Sequence, residues 1–568
     1  MQENPAIPTG ETANNNNSNT TTTTTKQDDP LALSTSLTHQ CRLLLAELDI
    51  FQSALASQFR KHQQQQHLVE MRQLRSNVSS ELKTLERLAA DTRDLLEKQQ
   101  RHHQKQQKGS GDYGDGKEKE TENGEVDLEM EERRLVHTLR SSNLPFYMTV
   151  WSIAKMQCKG VVAFSKRFYK ETKPVIKGAK MPNLDKKNSI FVDIVHDEGL
   201  QWSKVSTITE SRLLYEMAEK GWGIDDEEED SQELQNRTVL QNDDHASDSD
   251  DDDQIELIKV ATDMIKTARS LRVRYKNPLV RIIVPKLVEG KVPEIDRVLN
   301  TIRSLGVVVE SGPKIPDPMY DEAFCNRDPD SLSEKDLPLS TLLPNAFERF
   351  TDTINVDCTI LLAVVSDLSH IKEIAPSPSH HRAIVRQIEV EDEIPLLTAE
   401  LWPAMNGHQL VCTDEAVGRM KEIVDTIGTE TEKQRTAILF GEGDMQGLDR
   451  EELLQRFQQL SDHQIPKQWK IPITTVDSTA AVNDAWEHER LPPISRKVTE
   501  ILTDINRSVF LYGWFRNMTT ITSNKTVVKQ IESEIEANRG DDNELEGPMV
   551  WVCDTARSLI GKDKNRKT

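Results

Sequence analysis

Ile354-Asn355-Val356-Asp357-Cys358-Thr359-Ile360-Leu361-Leu362 is a short β-branched apolar run that ends at an aspartate and passes directly into a helical start. A strand that is apolar on both sides belongs inside a sheet covered by helices on both faces, as in parallel α/β sheets. Downstream, Gln409 to Cys412 predicts the next strand and Glu415 to Ile427 a helix; further helices are predicted over Arg450 to Leu460 and Pro493 to Ile505. Val509 to Tyr512 reads as a strand and Thr519 to Asn524 as a strand and turn. A helix then runs to Ala537, and a last strand covers Met549 to Cys553. This alternation predicts an α/β domain over 347–562.

The same signature recurs upstream. Ile190 to Val195, Leu279 to Val284 and Val307 to Val309 are β-branched runs of strand length. Helical patterns separate them at Ser211 to Lys220, Ile255 to Arg269 and Val292 to Leu305, and Leu135 to Tyr169 reads as helical. Before these, Leu37, Cys41, Leu44, Leu48, Phe51, Leu55 and Phe59 recur at spacings of three and four, one face of an amphipathic helix. Leu68, Met71, Leu74, Val78, Leu82, Leu85 and Leu88 form a second such face. The two stripes predict a helical hairpin leading into the first α/β domain, 31–312. A dimeric coiled coil is the alternative, although the Gln63 to Gln66 joint ends each stripe early.

Polar segments interrupt this plan. Residues 1–30 are Asn/Thr-rich and carry too little apolar surface to offset the entropy of ordering. Insertions at 101–132 and 224–254 are expected to be disordered, 313–346 to be a linker, 371–395 a surface loop and 563–568 a basic tail. The net charge of −23 argues against a general polyanion binder, because such binding runs on Lys and Arg releasing counterions. Much of that charge sits in Asp225 to Asp230 and Asp248 to Asp253, so a local basic groove stays open. No apolar run approaches the ~20 residues of a membrane span. The N-terminal stretch lacks the basic-then-apolar order of a secretory signal, and the six cysteines form no C-x-x-C pair. The expectation is a soluble cytoplasmic or nuclear protein with no membrane contact.

Ile354 to Ser369 (INVDCTILLAVVSDLS), Gln434 to Leu439 (QRTAIL), Ser508 to Gly513 (SVFLYG), Thr519 to Asn524 (TTITSN) and Ala556-Arg557-Ser558-Leu559 together resemble the C-terminal part of a eukaryotic family, domain-of-unknown-function family 1308. Glu81-Leu82-Lys83-Thr84-Leu85, Leu139 to Leu144 (LRSSNL), Val192 to Val195 with Trp202, and Tyr275-Lys276-Asn277-Pro278 resemble that family's companion domain. The order of these stretches carries the resemblance. That C-terminal domain is in turn similar to PIN-like nuclease domains, whose parallel sheet gathers carboxylates at the carboxyl ends of its strands. Clustered Asp and Glu supply the oxygen ligands and the balancing charge that Mg²⁺ or Mn²⁺ requires.

The resemblance implies a catalytic and metal-binding position at Asp357. Its other reading is the N-cap of the helix that follows, a common structural role. At the second acidic position the sequence has Arg419, whose charge would repel a cation, so Glu415 or Glu422 would have to substitute. Near the remaining positions stand Gly513 to Asn517 and Asn524, with no carboxylate. The implied site, Asp357, Glu415, Glu422 and Asn524, is thus degenerate, and the implied function is either a weak metal-dependent ribonuclease or an RNA-binding relative without catalysis. Lys525, Lys529 and the basic stretch Lys562 to Lys567 are candidate phosphate contacts. The rival reading is a non-catalytic scaffold that docks protein partners through the hairpin 31–100.

Other motifs weigh less. Gly441-Glu442-Gly443-Asp444 lacks the Lys-Ser/Thr of a phosphate loop and reads as a turn. His380-His381 reads as a solvated pair in a loop, and Asp193 ends a strand with no converging acid. Ser247 and Ser249 precede acidic residues in the pattern of an acid-directed kinase site, or form an unmodified spacer.

Overall fold

The computed structural model describes residues 29–62, 70, 72–108, 117–169, 189–222, 254–312, 322–374, 382–553 and 556–560. The expectations for residues 1–28, 224–253 with Ser247 and Ser249, His380-His381 and Lys562 to Lys567 lie outside them. The chain divides into two compact units, Met1–Leu45 with Asn77–Pro145, and Ala46–Ser76 with Phe146–Thr568.

Helices α1 (Pro30–His62), α2 (Gln73–Lys108) and α3 (Lys117–Arg140) open the chain. Pro30 sits at the first helical position, where its missing N–H costs nothing, and the Asp29 carboxylate accepts from Leu31 N at 3.0 Å. Within the first unit the predicted stripes meet as a hairpin. Leu37, Cys41 and Leu44 of α1 and Val78, Leu85 and Leu88 of α2 are buried, with Cys41 Sγ 3.7 Å from Val78 O. The expected loop 101–132 is corrected over its described part: α2 runs on to Lys108 and α3 starts at Lys117. Gln, Lys and Glu are good helix formers, so a polar composition suppressed the stripe without removing the helix. Leu135 and Leu139 of α3 are buried, and Gln99 Nε2 donates to Glu132 at 2.8 Å.

In the second unit α4 (Leu144–Gln157) ends near Gly160, which holds a φ of +53°. The chain then enters β1 (Ala163–Tyr169), so the helical reading of 135–169 fails over its last third. A short apolar run does not distinguish a strand from a buried helix. β2 (Ser189–His196), β3 (Gln201–Val205), β4 (Leu279–Val284) and β5 (Val308–Ser311) complete a sheet in sequential order. Its first two pairings are antiparallel and its last two parallel. Helices α5 (Glu210–Glu219), α6 (Glu256–Arg269) and α7 (Pro293–Ser304) bury the stripes that the sequence predicted. The Asn277 side chain of the YKNP stretch donates to the carbonyls of Ala268 and Leu271, closing the end of α6.

The second sheet contains β6 (Thr353–Val356), β7 (Gln409–Thr413), β8 (Thr474–Val476), β9 (Thr519–Thr522) and β10 (Val550–Val552). Every pairing is parallel, and the spatial order is β10-β9-β6-β7-β8. Its helices are α8 (Cys358–Val365), α9 (Arg382–Glu393), α10 (Asp414–Ile427), α11 (Glu430–Phe440), α12 (Arg450–Gln458), α13 (Ser478–Glu487), α14 (Ile494–Glu500), α15 (Asp504–Phe515) and α16 (Lys525–Ala537). The helix α9 lies inside the expected loop 371–395, where buried Glu391 takes an ion pair from Arg557 at 2.5 Å. Short helical turns fill 322–342 of the expected linker.

The predicted strand Val509 to Tyr512 is the middle of α15. Seven consecutive residues of that helix are buried, so no polar face marked its period. Gly513 explains how close it packs. A Cβ there would lie 2.1 Å from Thr520 Oγ1 of β9, and Asn355 of β6 donates to Val509 O at 2.8 Å.

Candidate functional site at the carboxyl edge of the parallel sheet

The strand order places the reversal between β6 and β9, with chain progress running outward on either side. In open parallel sheets, ligands bind outside the carboxyl ends of the strands at such a switch point. Asp357 follows β6 at this place and stands at the N-cap of α8. Asp357 thus stands at the N-cap place of the alternative reading, although its side chain makes no capping hydrogen bond to α8. Its backbone N–H donates to Ile521 O of β9, continuing the ladder.

The Asp357 side chain is 2% exposed. Its Oδ2 accepts from Thr359 Oγ1 at 2.7 Å and from Thr522 Oγ1 at 2.6 Å. Thr359 Oγ1 also accepts from Ser523 N, and Thr522 Oγ1 from Asn524 N, so the two threonines lock the β9–α16 turn onto the acid. Burial pushes the Asp357 carboxyl above the usual range, and these hydroxyls together with the nearby amides of Cys358 and Thr359 pull it back only in part.

Glu415 and Asn524 lie just beyond neighbouring strand ends, whereas Glu422 stands two turns into α10, and each serves a different partner. Glu415, in the first turn of α10, accepts from Ser478 Oγ at 2.8 Å and Thr479 Oγ1 at 2.7 Å, both at the start of α13. Burial raises its pKa, but the hydroxyls of Thr479, Ser478 and Ser508 outweigh burial and leave it below the ordinary value. Glu422 is 65% exposed and pairs with Arg419 at 2.6 Å, which places it out of the edge. The Asn524 amide oxygen accepts from Val527 N at 3.3 Å, the cap of α16. The edge thus gathers Asp357 and Glu415 on adjacent strand ends, while Glu422 and Asn524 have structural duties.

Sequence reasoning missed the hydroxyls. Thr413 Oγ1 lies 3.0 Å from Ser508 Oγ, linking β7 to the first turns of α15. A Ser or Thr at a strand end immediately before a helix was the available signal. The helices α8, α10, α13 and α16 all begin at this edge, where helix dipoles favour anions. Burial, with Asp357 adding to it, pushes the Cys358 thiol up to about 12, and Arg419 opposes that rise only in part. Arg507, in the first turn of α15, has a buried Nε with no hydrogen-bond partner. Lys525 and Lys529 are exposed on α16. Asp414 and Asp477 share the edge as first-turn and capping acids.

The donor set does not fit a two-metal centre. Asp357 offers one buried carboxylate already holding hydroxyl donors, and Glu415 is engaged with α13. Among the described residues no group of three or more His, Cys, Asp or Glu side chains is placed to hold a metal ion. Asp193, the other strand-end aspartate, accepts from Val205 N at 2.7 Å and pairs with Lys204, a tie within its own sheet. Gly441 and Gly443 form the expected turn at the end of α11. No helix of the described residues is long and apolar enough to cross a membrane.

No curated protein and no solved structure matches the chain. One family model does, over residues 354–465, a span that takes in Asp357, Glu415, Glu422 and Arg435 and ends before β8. Over that segment the chain matches the family described as protein of unknown function, DUF1308.

Proposed function

We propose that residues 347–560 form a PIN-like domain that binds single-stranded RNA along the carboxyl edge of its sheet without cleaving it. The observation that carries this reading is Asp357 at the switch point, buried and held by Thr359 and Thr522. A carboxylate in that position supports an edge, whereas phosphoryl chemistry on two metals needs several free ones. Helix N-termini, Ser and Thr hydroxyls, Arg419, Arg507 and Lys525 are the kinds of group that contact phosphates. The test is fluorescence anisotropy of labelled single-stranded RNA with the full chain. Arg507→Glu and Arg419→Glu are each expected to weaken binding about tenfold and to flatten its salt dependence. Unchanged affinity in both variants would refute the assignment.

A scaffold role is favoured by one observation, the exposure of Val126 and Met130, one helical turn apart on α3, at 56% and 58%. An amphipathic partner helix would cover that pair. Crosslinking that Val126→Asp abolishes would support this reading, and crosslinking that it leaves intact would remove it.

A further inference from the structure

A cavity of about 530 Å³ lies within the second unit, between the first sheet and the β10 side of the second. Its volume falls in the ~300–1,000 Å³ range of small-molecule sites. One wall is the Phe168–Trp202 pair, stacked with ring centroids 4.0 Å apart. A second aromatic pair in the lining is Phe347 set edge-on to Trp551 at 5.7 Å.

The backbone around it is unusual. Among the described residues seven non-glycine residues hold a positive φ, and Asp197, Glu198, Arg274 and Tyr275 are four of them. They form two turns that meet where Arg274 pairs with Glu198 at 2.6 Å, both residues lining the cavity, and Arg349 pairs with Asp197 from the segment before β6. Such conformations cost about 1–3 kcal/mol each and persist where the surroundings enforce them, commonly at ligand clamps. Glu400 lines the cavity from a π-helical turn, Leu397–Leu401, another feature enriched at functional sites.

The polar groups facing the space are unevenly satisfied. Gln58 donates from Nε2 to Pro344 O at 2.6 Å, while its buried Oε1 has no hydrogen-bond donor. Glu198 Oε2 is close to Arg274 but out of line for a hydrogen bond, so this buried oxygen also lacks a donor. The cations at the wall are committed: Lys166 pairs with Glu70 at 2.7 Å, and Arg272 donates to Asn543 at 2.6 Å. A ligand that suits this lining is planar and aromatic, and it brings N–H donors rather than negative charge.

We propose that the cavity binds a guanine base against the Phe168–Trp202 and Phe347–Trp551 pairs, its N1–H and 2-amino donors facing Glu198 and Gln58. Guanine presents adjacent donors on one edge, whereas adenine presents a donor beside an acceptor, which a carboxylate repels. The base comes from a free nucleoside or nucleotide, or from an unstacked position of single-stranded RNA.

The test titrates the full-length chain with guanosine, inosine, adenosine, guanosine monophosphate and a short guanine-rich single-stranded RNA, following tryptophan fluorescence. Guanosine is expected to bind about tenfold or more tighter than inosine or adenosine, since a site built around hydrogen bonds rejects analogues lacking the donor. Glu198→Gln and Gln58→Leu are each expected to lose that preference, and Trp551→Ala to weaken all purines, with thermal melting confirming that each variant is folded. Equal binding of guanosine and monophosphate points to a free ligand. Glu198-dependent binding of the RNA alone points to an RNA base, and both results support the site. Equal affinity for guanosine and adenosine, no binding of any probe, or insensitivity to Glu198→Gln and Gln58→Leu overturns it. These titrations involve no part of the sheet edge, so either proposal can fail while the other stands.

Discussion

The surroundings of Asp357 fix the sign of a pH effect. Burial raises its pKa in the folded chain, so the native state holds this proton more tightly than the unfolded state does. Stability from this group is therefore greatest in acid and declines as pH climbs from the unfolded value of ~3.9 through the raised folded value. Asp357→Asn is expected to melt higher than wild type at pH 7, with the difference closing by about pH 4. Equal melting at both pH values would show that the carboxylate is not penalised by its surroundings. The position was legible, because an aspartate between a buried strand and an apolar helix has few possible placements. Its partners were not: Thr522 lies 165 residues away in sequence, and no local pattern announces that a hydroxyl will cross from β9.

At the scale of elements, the family-like stretches resolve into packing devices. Arg435 of QRTAIL is 1% exposed and pairs with Asp367 at 2.7 Å, while donating to the carbonyls of Val365 and Leu460. Thr429 and Thr431 supply the other hydrogen bonds to Asp367, and Glu432 accepts from Asp367 N. This knot ties α8, α11 and the loop after α12 together. Removing one partner of a buried pair strands the other, so Arg435→Ala is expected to cost about 3–5 kcal/mol in chemical denaturation. A loss below about 1 kcal/mol would contradict the burial. Gly513→Ala is expected to destabilise by about 1–3 kcal/mol, because α15 must lift off Thr520. Strands β2, β4, β5, β6, β7, β9 and β10 were legible as short apolar or β-branched runs, and most helices from their period. The helix α15 was not, since an element buried on all sides shows no alternation, and β8, only three residues long, is too short to show one.

For the whole molecule, the parallel sheet with its central reversal was foreseeable as an α/β domain, but the strand order required the pairings themselves. The cavity between the sheets was beyond sequence reading altogether, since Gln58, Trp202 and Trp551 approach one another only through the tertiary fold. Under the proposed function the edge at Asp357 holds RNA and does not hydrolyse it. The most direct measurement incubates labelled single-stranded RNA with the purified chain and Mn²⁺, beside Asp357→Asn, and separates the products on a denaturing gel. RNA retained by both proteins and recovered full length from both is the expected result; cleavage by the wild type that disappears in Asp357→Asn would overturn the proposed function.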